Sequence, residues 1–292
     1  MFYRVFRKLF AGAIEKYPFL SIVVFRSRLM FCAYKKSDLL ILATVTKTGT
    51  HYLRFLISYY LVLVNNKKQG LDLDVSPNQF IIDEFLPNSW HSAYRFFVKR
   101  KKPSDLLKHI GIKDIPRSHL RLRDREWKGF KVLHTYRSVA DQAVVSYETK
   151  YKCDQRISDL YDSPWDLYLE TREDNLDQIT SFKDQSAKGV NSFRVEFGQI
   201  YNHPEKTLAL ILMWLGEEPD LMLCNKAAEL AALTPSIMVG AGEKWQRQHS
   251  DAVDRSYLNE FFSKYSDTGA VGCANEYFDE DQLKQANTYC KL

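Results

Sequence analysis

The feature that most constrains the fold is a short apolar run that leads directly into a small polar loop. Residues 38–45 read DLLILATV, a continuous run of the length typical of a buried parallel strand. The loop that follows contains Lys47 and Gly49. Beyond it, apolar residues recur at helical spacing: Leu53, Leu56, Ile57, Tyr60, Leu61 and Val64. A strand, a tight loop and a helix in this order form the opening unit of a doubly wound α/β domain.

Three later apolar runs predict further strands of such a domain. They lie at residues 79–82, 131–136 and 190–197. A helix is expected from near Val139. Another begins at Pro204 and ends at Gly216, since proline favours the first turn of a helix and glycine its end. We therefore predict an α/β fold, a single domain with a central, mostly parallel sheet flanked by helices.

Composition and charge limit the kinds of partner. The chain of 292 residues has a formal net charge of +5, which favours anionic ligands, but it lacks the clustered basic face of a nucleic-acid-binding protein. Its five cysteines are scattered and odd in number, without the spacing of a zinc site or a disulfide framework. We therefore expect reduced thiols, and a cytoplasmic location.

Residues 1–37 are predicted to be an N-terminal segment distinct from the α/β domain of residues 38–292. Its apolar residues fall on one helical face: Phe2, Val5, Phe6, Leu9, Phe10, Ala13 and Ile14. Such a face packs on the protein's own core or on a membrane surface, and both alternatives remain open. The sequence contains no run of about 20 apolar residues that would span a bilayer. Peripheral membrane contact is therefore the alternative to a purely cytoplasmic location.

The loop between the first strand and the first helix has the chemistry of an anion site. Unpaired backbone N–H groups at the start of a helix attract anions. Gly49 allows a close backbone approach, Lys47 adds a mobile positive charge, and Thr48 and Thr50 supply hydroxyls. The Walker A pattern GxxxxGK[ST] is not met, because the lysine precedes the glycine. The loop therefore predicts phosphate binding but disfavours an ordinary ATPase or GTPase.

The order Lys-Thr-Gly-Thr, followed by His51 and Tyr52, resembles the 5'-phosphosulfate loop of the sulfotransferases that use 3'-phosphoadenosine 5'-phosphosulfate (PAPS). Three later segments are similar to that family in the same order. They are residues 116–120 (PRSHL), 131–141 (KVLHTYRSVAD) and 204–216 (PEKTLALILMWLG). The resemblance runs from about residue 39 to residue 216. It implies a P-loop-like nucleotide site and a sulfotransferase that moves a sulfuryl group from PAPS to an acceptor, without a metal.

The resemblance also implies a role for individual residues. Lys47 would neutralise the leaving phosphate, and His119 would be the catalytic base that takes a proton from the acceptor. Arg137 would hold the 3'-phosphate through its planar fork. The implied nucleotide contacts together are Lys47, Thr48, Gly49, Thr50, His51, Tyr52, Arg137, Ser146 and Lys244. His134 lies inside an apolar run, so we expect a core residue there.

The sequence departs from the family pattern at the far end of the nucleotide. The family's serine eight residues after the 3'-phosphate arginine is replaced by Val145, so Ser146 or Ser138 would supply the hydroxyl. The family's Arg-Lys-Gly string is absent, and Lys244 or Arg247 would substitute for it.

Other functions remain open alongside the leading one. A P-loop kinase or nucleotide hydrolase would need a carboxylate for Mg²⁺, for which Asp83 is a candidate. A catalytically inactive nucleotide-binding adaptor is the other alternative. The acceptor hydroxyl or amine is not specified: aromatic residues between 83 and 113 suit a glycan, a lipid or a small alcohol, and the basic residues 95–102 favour an anionic one.

Overall fold

The structure is a computed structural model that describes residues 35–45, 47–76, 105–115, 117–118, 128–153, 157–183, 189–246, 264 and 271–289. Most of the predicted N-terminal segment, the strand predicted at residues 79–82 and the candidate base His119 lie outside these ranges. Within these ranges, no helix combines the length and the hydropathy needed to cross a bilayer.

The described strands form one parallel sheet. They are β1 (Leu40–Thr44), β2 (Arg117–Ser118), β3 (Lys131–Tyr136) and β4 (Asn191–Glu196), in the order β2-β1-β3-β4. Leu42 of β1 lies beside Leu133 of β3, which in turn lies beside Phe193 of β4. Because all pairs are parallel, the carboxyl ends of the strands meet at one edge of the sheet. The predicted strands at residues 131–136 and 190–197 are confirmed, the latter one residue shorter at each end.

The described helices cover both faces of this sheet. They are α1 (Thr50–Gln69), α2 (Val139–Ser146), α3 (Pro164–Lys183), α4 (Phe197–Asn202), α5 (Pro204–Leu215), α6 (Leu221–Gln246), α7 (Ala274–Tyr277) and α8 (Glu280–Tyr289). Short 3-10 turns lie at Lys36–Asp38, Asp105–Ile110 and Ser158–Leu160, and α2 runs on into a π turn at Tyr147–Tyr151. As predicted, α5 has Pro204 in its first turn and ends at Gly216, which has a φ of 95°.

Alternating side chains of β1 divide the hydrophobic core into two layers. Leu40 and Leu42 pack into the layer formed with α1, α5 and α6. Ile41 and Ala43 pack into the opposite layer, with α2, α3 and the C-terminal helices. Because both faces of β1 are buried, its sequence is a continuous apolar run instead of an alternating one. The predicted α/β fold, with helices flanking a parallel sheet, is confirmed.

Candidate functional site

The loop between β1 and α1 has an unusual backbone. Lys47 has a φ of 59° and Gly49 a φ of 76°. A residue with a Cβ in this left-handed region costs roughly 1–2 kcal/mol, so the loop holds Lys47 in a conformation that the chain does not prefer locally. Such outliers persist only where the surrounding structure enforces them, and they concentrate at functional sites.

Thr48 is one of the groups that hold the loop. Its side chain is buried, and its hydroxyl donates a hydrogen bond to the Val45 carbonyl at 2.7 Å. The hydroxyl of Thr135 lies 2.9 Å away. Because Thr48 has a single hydroxyl proton, Thr135 is the donor in this second bond. The Thr48 hydroxyl, expected from the sequence to face an anion, therefore ties the loop to β3.

Gly49 is required by a close contact as well as by its backbone angle. A Cβ placed on Gly49 would lie 2.2 Å from Cδ2 of Phe197, the first residue of α4. The guanidinium carbon of Arg137 lies 4.7 Å from the centre of the same phenyl ring. Phe197 therefore joins the loop to the end of β3, as cation–π contacts and tight packing do elsewhere in proteins.

The charge on Lys47 is set by its surroundings. Its side chain is exposed, yet the protein around it desolvates the ammonium, and this lowers its pKa below the usual 10.5. Cys153 acts in the opposite direction, and repulsion from Lys150 lowers the pKa further. The ammonium of Lys47 is therefore accessible to solvent but less favourably hydrated than that of a free lysine.

Lys150 is a residue near the loop that the sequence did not single out. It belongs to the π turn that extends α2, and its ammonium lies 4.6 Å from the centre of the Tyr151 ring and 3.2 Å from the Tyr151 hydroxyl. Sequence periodicity predicts a helix from Val139 but contains no signal for a π turn. For this reason the approach of Lys150 to Lys47 was not predictable.

Arg137 lies at the carboxyl end of β3 and is only 5% exposed. Its Nε lies 3.9 Å from Oδ2 of Asp141, which is also buried. Burial lowers the pKa of the guanidinium, while Asp141 acts in the opposite direction. The structure thus brings Arg137 and the Lys47 loop to the same edge of the sheet.

The predicted hydroxyls after Arg137 have different surroundings. Ser138 is the N-cap of α2, and its hydroxyl accepts a hydrogen bond from the Asp141 backbone N–H at 3.4 Å. Ser146 is the last residue of α2 and is half-buried, whereas Val145 is buried in the core. The choice of Ser146 as a nucleotide contact stays a prediction.

The first turn of α1 contains Thr50 and Tyr52, two of the residues predicted to contact the nucleotide. Thr50 is buried at the first position of the helix. Tyr52 is half-buried, with its ring centre 5.9 Å from that of Tyr201, and burial raises the pKa of its hydroxyl to about 12. The side chain of His51 lies outside the described residues.

Lys244 lies near the end of α6, a helix that packs against α1 and α5, and its side chain is not among those described. Three described residues from the C-terminal part of the chain contact Asp141, namely Gly272, Cys273 and Ala274, and Cys273 also acts to raise the pKa of Arg137. The role of Lys244 stays a prediction.

His134 is confirmed as a core residue. It is fully buried in β3, and its ring stacks on Phe182 with a centroid distance of 4.0 Å. Burial and repulsion from Arg194 lower its pKa from 6.5 to about 3. Among the described residues, no group of three or more His, Cys, Asp or Glu side chains is arranged to hold a metal ion.

Two solved structures resemble this chain over most of its length. Retinol dehydratase, in complex with androsterone and the inactive cofactor PAP, has a TM-score of 0.53 at 15% identity, covering 87% of this chain and 80% of that one. A mouse sulfotransferase, SULT7A1, complexed with PAP, has a TM-score of 0.54 at 16% identity, covering 88% of this chain and 83% of that one. No family model matches the sequence, and no curated protein matches it significantly. At these identities the likeness shows that the chain has the fold of these proteins.

Proposed function

We propose that this protein is a sulfotransferase that moves a sulfuryl group from PAPS to a hydroxyl, or an amine, of an acceptor. One observation carries the proposal. The loop with Lys47 lies beside Arg137 at the carboxyl edge of the sheet, in a fold shared with two proteins whose structures contain PAP. Ligands of open α/β sheets bind at this edge.

The 5' end of the donor would bind at the start of α1. This helix has 20 residues, and its N-cap is Gly49, which has no side chain that could cap the N–H groups of the first turn. The backbone N–H groups of Thr48, Gly49 and Thr50 would therefore hold the phosphate, with the helix dipole adding to the attraction. Thr50 and the half-buried Tyr52 would close this side of the nucleotide.

Lys47 would act on the leaving group. As the bond from sulfur to the phosphate oxygen breaks and the bond from sulfur to the acceptor oxygen forms, negative charge collects on the departing phosphate. The ammonium of Lys47 would neutralise that charge, by analogy with phosphoryl transfer, where positioning and charge stabilisation dominate. Its lowered pKa fits this role, because a bound anion favours the charged form and raises the pKa again.

The acceptor must lose a proton during transfer, and we assign that proton to His119 on the sequence resemblance. Of the other histidines, His134 is excluded as the base because it is enclosed in the core and its pKa is lowered to about 3. The androsterone bound to retinol dehydratase supports a small hydroxylated molecule as the acceptor.

The donor can be tested by calorimetry. Titration of PAP against ATP with Mg²⁺ should show preferential binding of PAP. Preferential binding of ATP would contradict the proposal and favour a kinase or nucleotide hydrolase.

Catalysis can be tested with labelled PAPS and a panel of hydroxylated small molecules and glycans. Lys47→Met should lower the rate of transfer by about 100-fold or more, the usual effect of removing one group that stabilises transition-state charge. Lys68→Met is the matched control, because Lys68 is exposed at the opposite end of α1 and contacts His109. His119→Ala should also abolish most transfer, and a full rate in that variant would show that the base is another group. No transfer by the wild type would favour an inactive nucleotide-binding protein.

A further inference from the structure

Asp141 has more partners than a surface carboxylate in a first helical turn would have. It is 4% exposed, and its Oδ2 accepts a hydrogen bond from the Gly272 backbone N–H at 2.8 Å. Its Oδ1 accepts another from the Ala274 backbone N–H at 3.0 Å. Oδ2 also lies 3.9 Å from Nε of Arg137. A buried carboxylate is costly unless it is paired and hydrogen-bonded, and here both oxygens are engaged.

The backbone at Asp141 is as well fixed as its side chain. Its N–H donates to the Ser138 hydroxyl that caps α2, and its side chain lies one turn after Arg137. The carboxylate therefore has a defined position relative to the end of β3.

On its other side, Asp141 anchors a segment that is distant in sequence. Gly272 is 131 residues further along the chain. The described segment 271–289 packs into the core layer that also contains α2 and α3. There the ring of Phe278 lies edge-on to Trp165 at a centroid distance of 5.1 Å. This apolar contact attaches the segment, and the hydrogen bonds to Asp141 fix its beginning, where Cys273 is near enough to Arg137 to act on the pKa of the guanidinium.

We infer that Asp141 is a positioning residue for the nucleotide site: its carboxylate forms a buried ion pair with Arg137 and docks segment 271–289 beside it, so that recognition of the 3'-phosphate depends on that segment. This inference rests on the proposed function. Replacing the carboxylate by an amide would remove a negative charge that offsets the buried guanidinium of Arg137. It would also set an N–H₂ group against one of the two backbone donors, Gly272 or Ala274.

A purely structural role would weaken the binding of every nucleotide alike, whereas a positioning role changes selectivity. The decisive quantity is therefore the ratio of affinities for PAP and for adenosine 5'-monophosphate (AMP), which differ by the 3'-phosphate. We expect Asp141→Asn to lower the preference for PAP by about tenfold or more, as expected for a charge-assisted contact.

Asp220→Asn is the matched control. Asp220 also combines an ion pair, with Lys67 at 2.6 Å, and a hydrogen bond from a backbone N–H, that of Leu223 at 3.2 Å. It lies before α6, away from Arg137. We expect this variant to lose stability but to keep the wild-type preference for PAP.

Two results would separate the inference from the proposed function. If the wild type prefers PAP and Asp141→Asn keeps that preference, Asp141 does not position Arg137 and the inference is wrong, while the proposed function stands. If the wild type binds PAP and AMP equally, the 3'-phosphate site itself is wrong, and the inference fails with it.

A measurement on the wild type covers the case in which Asp141→Asn does not fold. Hydrogen exchange of the backbone amides in segment 271–289 should slow when PAP binds, and slow less when AMP binds at equal saturation. The same exchange rate with both nucleotides would overturn the inference.

Discussion

Replacing Gly49 by alanine tests the geometry of the phosphate loop directly. The new methyl group would lie 2.2 Å from Phe197, about 1.3 Å inside the distance at which two carbon atoms make a normal contact. Overpacking of this kind costs roughly 1–3 kcal/mol, and a φ of 76° adds roughly 1–2 kcal/mol for a residue with a Cβ. Because the Phe197 ring lies 4.7 Å from the guanidinium carbon of Arg137, relief of the overlap would also move the second predicted phosphate contact.

Gly70→Ala separates the two contributions. Gly70 has a φ of 66°, but nothing lies within 4 Å of a Cβ built on it. Urea denaturation should therefore show a loss of about 1–2 kcal/mol for Gly70→Ala and about 2–5 kcal/mol for Gly49→Ala. Calorimetry should show wild-type affinity for PAP in Gly70→Ala and at least a tenfold loss in Gly49→Ala. Wild-type affinity in Gly49→Ala would refute the idea that this loop, in this conformation, binds the nucleotide.

Two further predictions concern pH. Folding lowers the pKa of His134 from 6.5 to about 3. Between pH 6.5 and pH 3, this histidine is therefore protonated in the unfolded chain but neutral in the folded one, so the folded state loses stability as the pH falls below 6.5. The loss of unfolding free energy is about 2 kcal/mol at pH 5 relative to pH 7. In urea denaturation, His134→Leu should remove this loss. An unchanged pH dependence in that variant would contradict the assignment of the loss to His134. Lys150→Met should raise the pKa of Lys47 by removing a repulsion, so the affinity for PAP should persist to higher pH. Calorimetry across the alkaline range measures this shift, and an alkaline limb that does not move would show that Lys150 does not set the pKa of Lys47.

The first strand, the loop and α1 could be predicted because their signals are local. Both faces of β1 are buried, so its apolar run needs no alternation, and the following helix has its own periodicity. The limits of α5 were equally local, with Pro204 and Gly216 at its two ends. In each of these elements, the residues of the element itself favour the backbone conformation that it adopts.

The hydrogen-bond partner of each polar group in the site was less predictable. A threonine in a phosphate loop can donate to a ligand or to its own loop, and only the neighbouring strand decides between them. Here Thr135 of β3 lies 2.9 Å from the Thr48 hydroxyl, which is also hydrogen-bonded to Val45. The residue type indicates a hydroxyl, but the partner depends on a contact 87 residues away.

The far side of the nucleotide site shows the same limit more sharply. A replacement for the missing Arg-Lys-Gly string is expected to be a cation, and for this reason the sequence suggests Lys244. Two of the groups that contact Asp141 are the backbone N–H groups of Gly272 and Ala274, and every residue except proline possesses such a group. A backbone donor has no signature in sequence, so only the position of its acceptor can locate it. If Asp141 is the acceptor that positions this segment, loss of its carboxylate should lower the preference for PAP over AMP. Loss of the cation Lys244 in α6 should leave that preference unchanged.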